Sequence, residues 1–244
     1  MYCGRVCRLN PRSGYGKVCL AGLRTAYTPA RGYAAETMYR IVTVEREYGC
    51  GAGQIARQLA AELGWKLWDR ELTAEIARVA NVDSSAVSMC EERVDSTFQK
   101  LVKVFWRGSY ERSMHLEHQP FGPDRMVEVG EQVMREIAEQ GNCVIVGRGA
   151  PYFLRERSDV FHVFLYAPRA EKLHRIQELG KSLQDAEDLV DTVDRERMLF
   201  IKHYFGADWP TRSLYHMMIN TAIGDEKVIS LILHSMRSLE HQPA

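Results

Sequence analysis

The stretch VEREYGCGAGQIARQLAAELG, Val44 to Gly64, decides how the rest of the chain is read. An apolar strand runs into three glycines, Gly49, Gly51 and Gly53, and these run into an amphipathic helix. Ile55, Leu59 and Leu63 recur at i, i+4 and i+8 with Ala56 and Ala60 beside them, and Gly64 is placed to stop the helix. Glycines permit backbone conformations closed to other residues and let main-chain N–H groups approach an anion; the helix N-terminus beyond them favours negative charge. A GxxxxGK[ST] loop would add a lysine here, but Gly51 is followed by Ala52, Gly53 and Gln54. The stretch therefore reads either as an anion-binding turn without its cation or as a strand–helix turn whose glycines serve packing alone.

Outward from this turn, apolar strands alternate with helices. YRIVTVE (39–45) is β-branched and bounded by the glycines, WKLW (65–68) is a short second strand, and CVIVG (143–147) and VFHVFLY (160–166) are apolar throughout. YHMMIN (215–220) is a last short strand and 224–239 a last helix. Between them, helices are predicted over 70–80, over 92–115, from Asp124 to Gln140 and up to about Tyr204; Asp83 is placed to cap one, and Pro168 to open another at its first position. LGKSLQDAED (179–188) is polar and reads as a mobile stretch. Buried strands in alternation with helices predict an α/β fold, a parallel sheet of about five strands covered on both faces. In such a sheet ligands bind at the C-terminal edge of the strands. Arg46 to Gly53, Asp69, Gly147 to Gly149 and the loop after Tyr166 all fall there.

Bulk composition narrows the function. The 244 residues carry no net charge, 45% are hydrophobic and 26% charged, which suits one good-sized globular domain and gives no global electrostatic case for nucleic acid or a membrane surface. No window holds eighteen uninterrupted apolar residues, so no membrane span is expected. Residues 1–37 stand apart: Arg5, Arg8, Arg12, Lys17, Arg24 and Arg31 face a single acid, Glu36, and the segment reads as a basic, disordered leader ahead of a domain over 38–244. The six cysteines, Cys3, Cys7, Cys19, Cys50, Cys90 and Cys143, form no CxxC and no zinc spacing. Buried or incidental thiols in a reducing cytoplasm are expected, with no resident metal.

Three constellations carry candidate chemistry. Arg46, at the end of the first strand, is placed to curl over the glycine loop and supply part of the missing charge as a bidentate fork; the alternative is a surface arginine paired with Glu45 or Glu47. Arg148, in Gly147-Arg148-Gly149, projects from the end of a buried strand. In DTVDRERMLFIKHY (191–204), Asp194 and Arg197 share one helical face at i, i+3, and Asp191 and Arg195 another at i, i+4. Such pairs are ordinarily solvated, but after a polar loop they also fit a lid that closes on anions.

Taken in order, VTVEREYGCGAG, WKLWDREL, VIVGRGAPYFL and VDRERMLFIKHYFGADW before YHMMINT resemble the cytidylate-kinase-like proteins, a divergent branch of the nucleoside monophosphate kinases. The resemblance spans about residues 38–239. It implies a P-loop kinase-like fold with a helical monophosphate-binding insert at about 70–141 and a lid at about 179–196. It further implies phosphoryl transfer from ATP to CMP or dCMP with Mg²⁺, by positioning and charge neutralisation rather than covalent chemistry. By the same resemblance Gly49, Cys50, Gly51, Ala52, Gly53 and Gln54 cradle the donor phosphates, with Arg175 adding charge from the lid side. Arg148 holds the acceptor phosphate or base, Asp69 lies on the acceptor side, Asp194 contacts the acceptor ribose and Arg197 the phosphates. Arg46, Arg148 and Arg197 are the candidate catalytic residues. Cytidylate kinases proper carry GK[GST] in the loop and Gly-Arg-Asp after the third strand; Ala52 and Gly149 stand at those positions here. A nucleotide-binding regulatory module of weak or no activity, and a kinase for another small acceptor, are the alternatives.

Overall fold

The structure, a computed structural model, describes residues 39–79 and 123–240. Five parallel strands make one sheet: β1 Ile41–Arg46, β2 Lys66–Trp68, β3 Cys143–Val146, β4 Val160–Tyr166 and β5 Met217–Asn220, in the order β2-β3-β1-β4-β5. The glycine loop thus leaves the central strand. β1 is buried along its whole length and pairs with β3 (Ile41 beside Cys143, Val44 beside Val146) and with β4 (Thr43 beside His162).

The helices are α1 Ala52–Leu63, α2 Arg70–Val79, α3 Pro123–Gln140, α4 Ala150–Phe153, α5 Arg169–Glu178, α6 Leu183–Phe205 and α7 Asp225–Glu240. Strand alternation sends Ile41 and Ile145 to one face, where they meet Leu72 and Ile76 of α2, Met126 and Met134 of α3, and Phe200 and Ile201 of α6. Val42, Val44, Val144, Phe161 and Val163 go to the other, under Ile55 and Leu59 of α1 and Val228 and Ile232 of α7. The expected double-faced cover is present.

Some local expectations shift. α1 starts at Ala52, so Gly53 is helical and only Gly49 and Gly51 use the left-handed backbone. Pro168 is the N-cap of α5 rather than its first residue. In the polar stretch read as mobile, α6 begins at Leu183, because the Ser182 side chain accepts from the Asp185 N–H at 3.1 Å and caps it. Asp191 pairs across to Arg169 of α5 instead of along its own helix with Arg195. Short helical turns at 150–153, 212–214 and 221–223 were not anticipated. The leader over 1–37, the Asp83 cap and the helix expected over 92–115 lie outside the described residues.

One buried pair gives the fold a pH dependence. Thr43 Oγ1 and His162 Nδ1 are 2.7 Å apart inside the sheet, and the His162 N–H donates to His216 Nδ1. Burial, with His216 beside it, pulls His162 down to about 4. The unfolded chain binds this proton at the ordinary histidine value of about 6.5, so between those pH values unfolding takes up a proton and acid destabilises. Urea unfolding should show stability falling by about 2–3 kcal/mol from this residue between pH 7 and pH 4.5, and His162→Asn should remove that part of the slope.

Candidate active site

Gly49 and Gly51 have φ of 77° and 82°, and Gly51 is the N-cap of α1. A Cβ on Gly49 would stand 2.9 Å from Ile176 Cδ1 and 3.2 Å from Lys172 Cβ, so α5 lies flush against the loop. Among the described residues, the loop's hydrogen bonds use the Glu47 and Tyr48 N–H groups, the Cys50 thiol and the Cys50 and Gly51 carbonyls, and none engages the N–H groups of Gly49, Cys50, Gly51 or Gly53. Alternating left-handed residues with free N–H groups at a helix start form an anion-binding concavity.

The loop floors a cleft of about 580 Å³ whose other walls are Arg57 and Gln54 of α1, Leu67 of β2 with Asp69, Arg70 and Glu71 after it, Arg175, Ile176 and Leu179, and Arg46 and Arg197. Five arginines line it against three acids, Glu47, Asp69 and Glu71, an excess of positive charge in a chain with none overall. A second cavity of about 20 Å³ lies beyond Arg46 and Arg197, walled by Glu45, Arg148, Gly149, Phe200, Ile201 and Trp209.

The sequence-predicted residues do converge on this edge, though not all as pictured. Arg46 does not curl over the loop. Its guanidinium lies across Gly147, 3.4 Å from Glu45 Oε1, and Nη2 is buried without a partner among the described residues. The pairing with Glu45 foreseen for a surface arginine is present, but the pair is buried. Arg148 is also buried. Nη1 donates to the Asp69 carbonyl at 2.5 Å, Nη2 donates to Thr73 Oγ1, and Nε is left over. Burial lowers its pKa to about 10. Asp69 itself has a buried Oδ1 with no partner among the described residues. Gly147, Arg148 and Gly149 have φ of 66°, 54° and 71°, a run of left-handed backbone that is costly at Arg148.

Arg197 donates to the Arg46 carbonyl at 2.9 Å and to Asp194 Oδ1 at 3.1 Å. Burial and the neighbouring Arg46 hold its pKa below the usual arginine range. Asp194 also accepts from the Tyr48 N–H at 2.7 Å and, through Oδ2, from Lys172 Nζ at 3.3 Å. Arg175 reaches the loop from α5: Nη1 donates to the Cys50 carbonyl at 2.6 Å and to Thr221 Oγ1 at 2.8 Å. The Thr221 hydroxyl donates to the same carbonyl. Cys50 is a buried thiol raised to about 11, chiefly by burial, which makes it a packing residue rather than a nucleophile.

Lys172 and Thr221 are the site residues that sequence reasoning missed. Lys172 sits in RAEKLHRIQE, a polar helix in which nothing in the pattern separates a buried lysine from a solvated one. Thr221 follows the last strand, and its place at the sheet edge was the one available signal.

The cytidylate kinase-like family model matches residues 41–223. The chain belongs to that family. Among curated relatives it is 30% identical over 127 residues to the cytidylate kinase of Methanosarcina mazei, which is 49% of this chain and 69% of that one. It is 28% identical over the same shares to the cytidylate kinase of Methanosarcina acetivorans. A crystal structure of an uncharacterized protein from Eubacterium ventriosum superposes with a TM-score of 0.59 at 18% identity, over 81% of this chain and 98% of that one, a likeness of fold. Family membership and sheet order together make this a P-loop kinase-like fold, and the family supports a phosphotransferase of the nucleoside monophosphate kinase type. No described helix is long and apolar enough to cross a membrane.

Proposed function

We propose that the protein transfers the γ-phosphoryl group of ATP to a pyrimidine nucleoside monophosphate, CMP or dCMP. The observation that carries this reading is the lysine-free loop: two left-handed glycines whose N–H groups carry no hydrogen bond among the described residues, set in a cleft lined by five arginines. Phosphoryl transfer asks the protein to place donor and acceptor in line and to neutralise spreading charge, and little else. On this reading residues 49–54 and Arg175 take the donor phosphates. Arg46 and Arg197 lie where the cleft meets the second cavity and neutralise the transferring group. Arg148 and Asp69, buried at the ends of β3 and β2 with Nε and Oδ1 unused, face the acceptor. The insert on this reading is about 70–141, which includes α2 and α3, and the lid about 179–196, the turn after α5 and the first part of α6, where Leu179 lines the cleft.

The donor site suits the group it would hold, since the N–H groups of Gly49, Cys50, Gly51 and Gly53 at the start of α1 carry no hydrogen bond among the described residues. Mg²⁺, when bound, screens the donor charge and polarises the phosphoryl oxygens. The carboxylates that line the cleft, Glu47, Asp69 and Glu71, are the side chains that could share such an ion with the phosphates. The buried free thiols of Cys50 and Cys143 suit a reducing, cytoplasmic setting.

A coupled assay of ADP release with Mg-ATP and CMP, dCMP, UMP and AMP is the direct test. Acceptor-stimulated turnover is expected with CMP or dCMP at least about tenfold above AMP, a difference of about 1.4 kcal/mol. Stimulation by none of the four overturns the reading. A nucleotide-binding module without activity is the second reading, favoured by Ala52 and by the engagement of Arg175 with the Cys50 carbonyl. It predicts a raised melting temperature with nucleotide and no turnover. Turnover with none of the four but with another small acceptor would keep the fold and change the substrate.

A further inference from the structure

Three consecutive residues between β1 and the glycine loop are each gripped from outside. The Arg46 carbonyl accepts from Arg197, the Glu47 carboxylate from Lys172 at 2.9 Å, and the Tyr48 N–H donates to Asp194. The grips are themselves joined. Lys172 Nζ bridges Glu47 and Asp194, and Asp194 Oδ1 takes both Tyr48 and Arg197. The result is two carboxylates and two cations packed behind the loop, with the Lys172 side chain 10% exposed and that of Asp194 17%. We infer that Lys172 and Asp194 are positioning residues for the donor loop, and that Asp194 serves the donor side of the reaction rather than the acceptor ribose. The inference rests on the kinase reading of the cleft.

The geometry argues for this in three ways. First, both Asp194 oxygens are engaged by groups of, or next to, the loop, so turning either toward an acceptor would release the Tyr48 N–H or Lys172. Second, Lys172 faces two carboxylates. Burial alone would lower its pKa, but Glu47 and Asp194 outweigh it and the group stays protonated above the usual lysine range. Its charge is spent inside the cluster, so it sets the loop's shape and does not replace the absent lysine at the phosphates. Third, the Lys172 Cβ and carbonyl oxygen each lie 3.2 Å from where a Gly49 side chain would start, so the cluster and the left-handed turn are seated on one another. In a loop with its lysine, that side chain arches over the phosphates from the front. Here Ala52 is buried and offers nothing, and the loop is preset from behind.

The experiment compares wild type, Lys172→Met, Lys172→Arg and Asp194→Asn by three measurements. ATP affinity is taken by titration calorimetry, KM is taken separately for donor and acceptor, and amide hydrogen exchange is followed over residues 46–51. Lys172→Met should weaken ATP binding by about 10–30-fold and leave the acceptor KM within twofold, and Asp194→Asn should do the same to a smaller degree. Lys172→Arg, which keeps the charge and the donors, should recover to within a fewfold of wild type. Exchange at 46–51 should quicken by at least about tenfold in Lys172→Met without nucleotide, while the core strands stay protected.

An acceptor KM that rises in Asp194→Asn while ATP binding holds would return Asp194 to the acceptor and overturn the inference. Unchanged exchange over 46–51 in Lys172→Met would overturn it as well. Should wild type bind no ATP, the kinase reading falls and the exchange result alone decides whether this cluster holds the loop. Should Lys172→Met fail to fold, Asp194→Asn supplies the same comparison with a side chain of unchanged size.

Discussion

Replacing Arg46 with alanine should lower kcat/KM for phosphoryl transfer by about 10²–10³-fold, the loss expected when one positioned donor is taken from a developing anion. Arg46 is 4% exposed, lies in the wall shared by the cleft and the smaller cavity, and keeps Nη2 without a partner among the described residues. A buried guanidinium with a spare donor is costly unless something pays for it, and a transferring phosphoryl group would do so. The variant is open to a duller explanation. Arg46 is paired with Glu45, and removing one partner of a buried pair destabilises by about 3–5 kcal/mol because the other charge is left alone. A double variant, Glu45→Gln with Arg46→Met, leaves no orphaned charge and should melt near wild type. It should still lack transfer. Wild-type kcat/KM in that double variant would remove Arg46 from the mechanism. Arg46→Lys should fall between, since an ammonium keeps the charge and loses the planar fork.

How much of this was legible beforehand divides along physical lines. The inner strands β3 and β4 declared themselves because they are apolar almost throughout and stop at a turn residue: CVIV before Gly147 and VFHVFLY before Ala167-Pro168. Burial on both faces leaves no alternation to misread. The edge on which Arg46, Asp69 and Arg148 meet followed from the same reading, since a parallel sheet collects its strand ends on one side. What failed to show was the direction of side chains. Arg46 was pictured over the loop and lies over Gly147, because only a glycine leaves room there and because Glu45 waits beside it. Asp194 and Arg197 looked like a solvated i, i+3 pair. Their burial depends on α5 and the loop closing over them, contacts between residues 146 apart in sequence that no helical spacing records. Lys172 was invisible for the same reason. A lysine in a polar helix is a solvated lysine until the tertiary packing says otherwise.

Gly147→Ala should reproduce part of the Arg46→Ala defect without replacing Arg46. The added Cβ would stand 1.6 Å from Arg46 Nη1 and 2.6 Å from its Cζ, so the guanidinium must leave its seat. At φ of 66° the alanine adds left-handed strain of about 1–2 kcal/mol. Displacing a packed, buried side chain adds about 1–3 kcal/mol more. The two parts separate in a double-mutant cycle. In an Arg46→Ala background nothing occupies the space, so Gly147→Ala should there cost only the backbone strain. The coupling between the two sites should then be at least about 1 kcal/mol in urea unfolding, against about 0.3–0.5 kcal/mol for independent positions. Transfer should follow the same arithmetic: Gly147→Ala lowers kcat/KM by at least about tenfold in the wild-type background, as a 1.4 kcal/mol loss requires, and leaves it unchanged where Arg46 is already gone. Additive effects in both measurements would mean that Gly147 acts through the shape of its own turn. In that case the left-handed run from Gly147 to Gly149, which aims Arg148 at Asp69 and Thr73, becomes the feature the alanine disturbs.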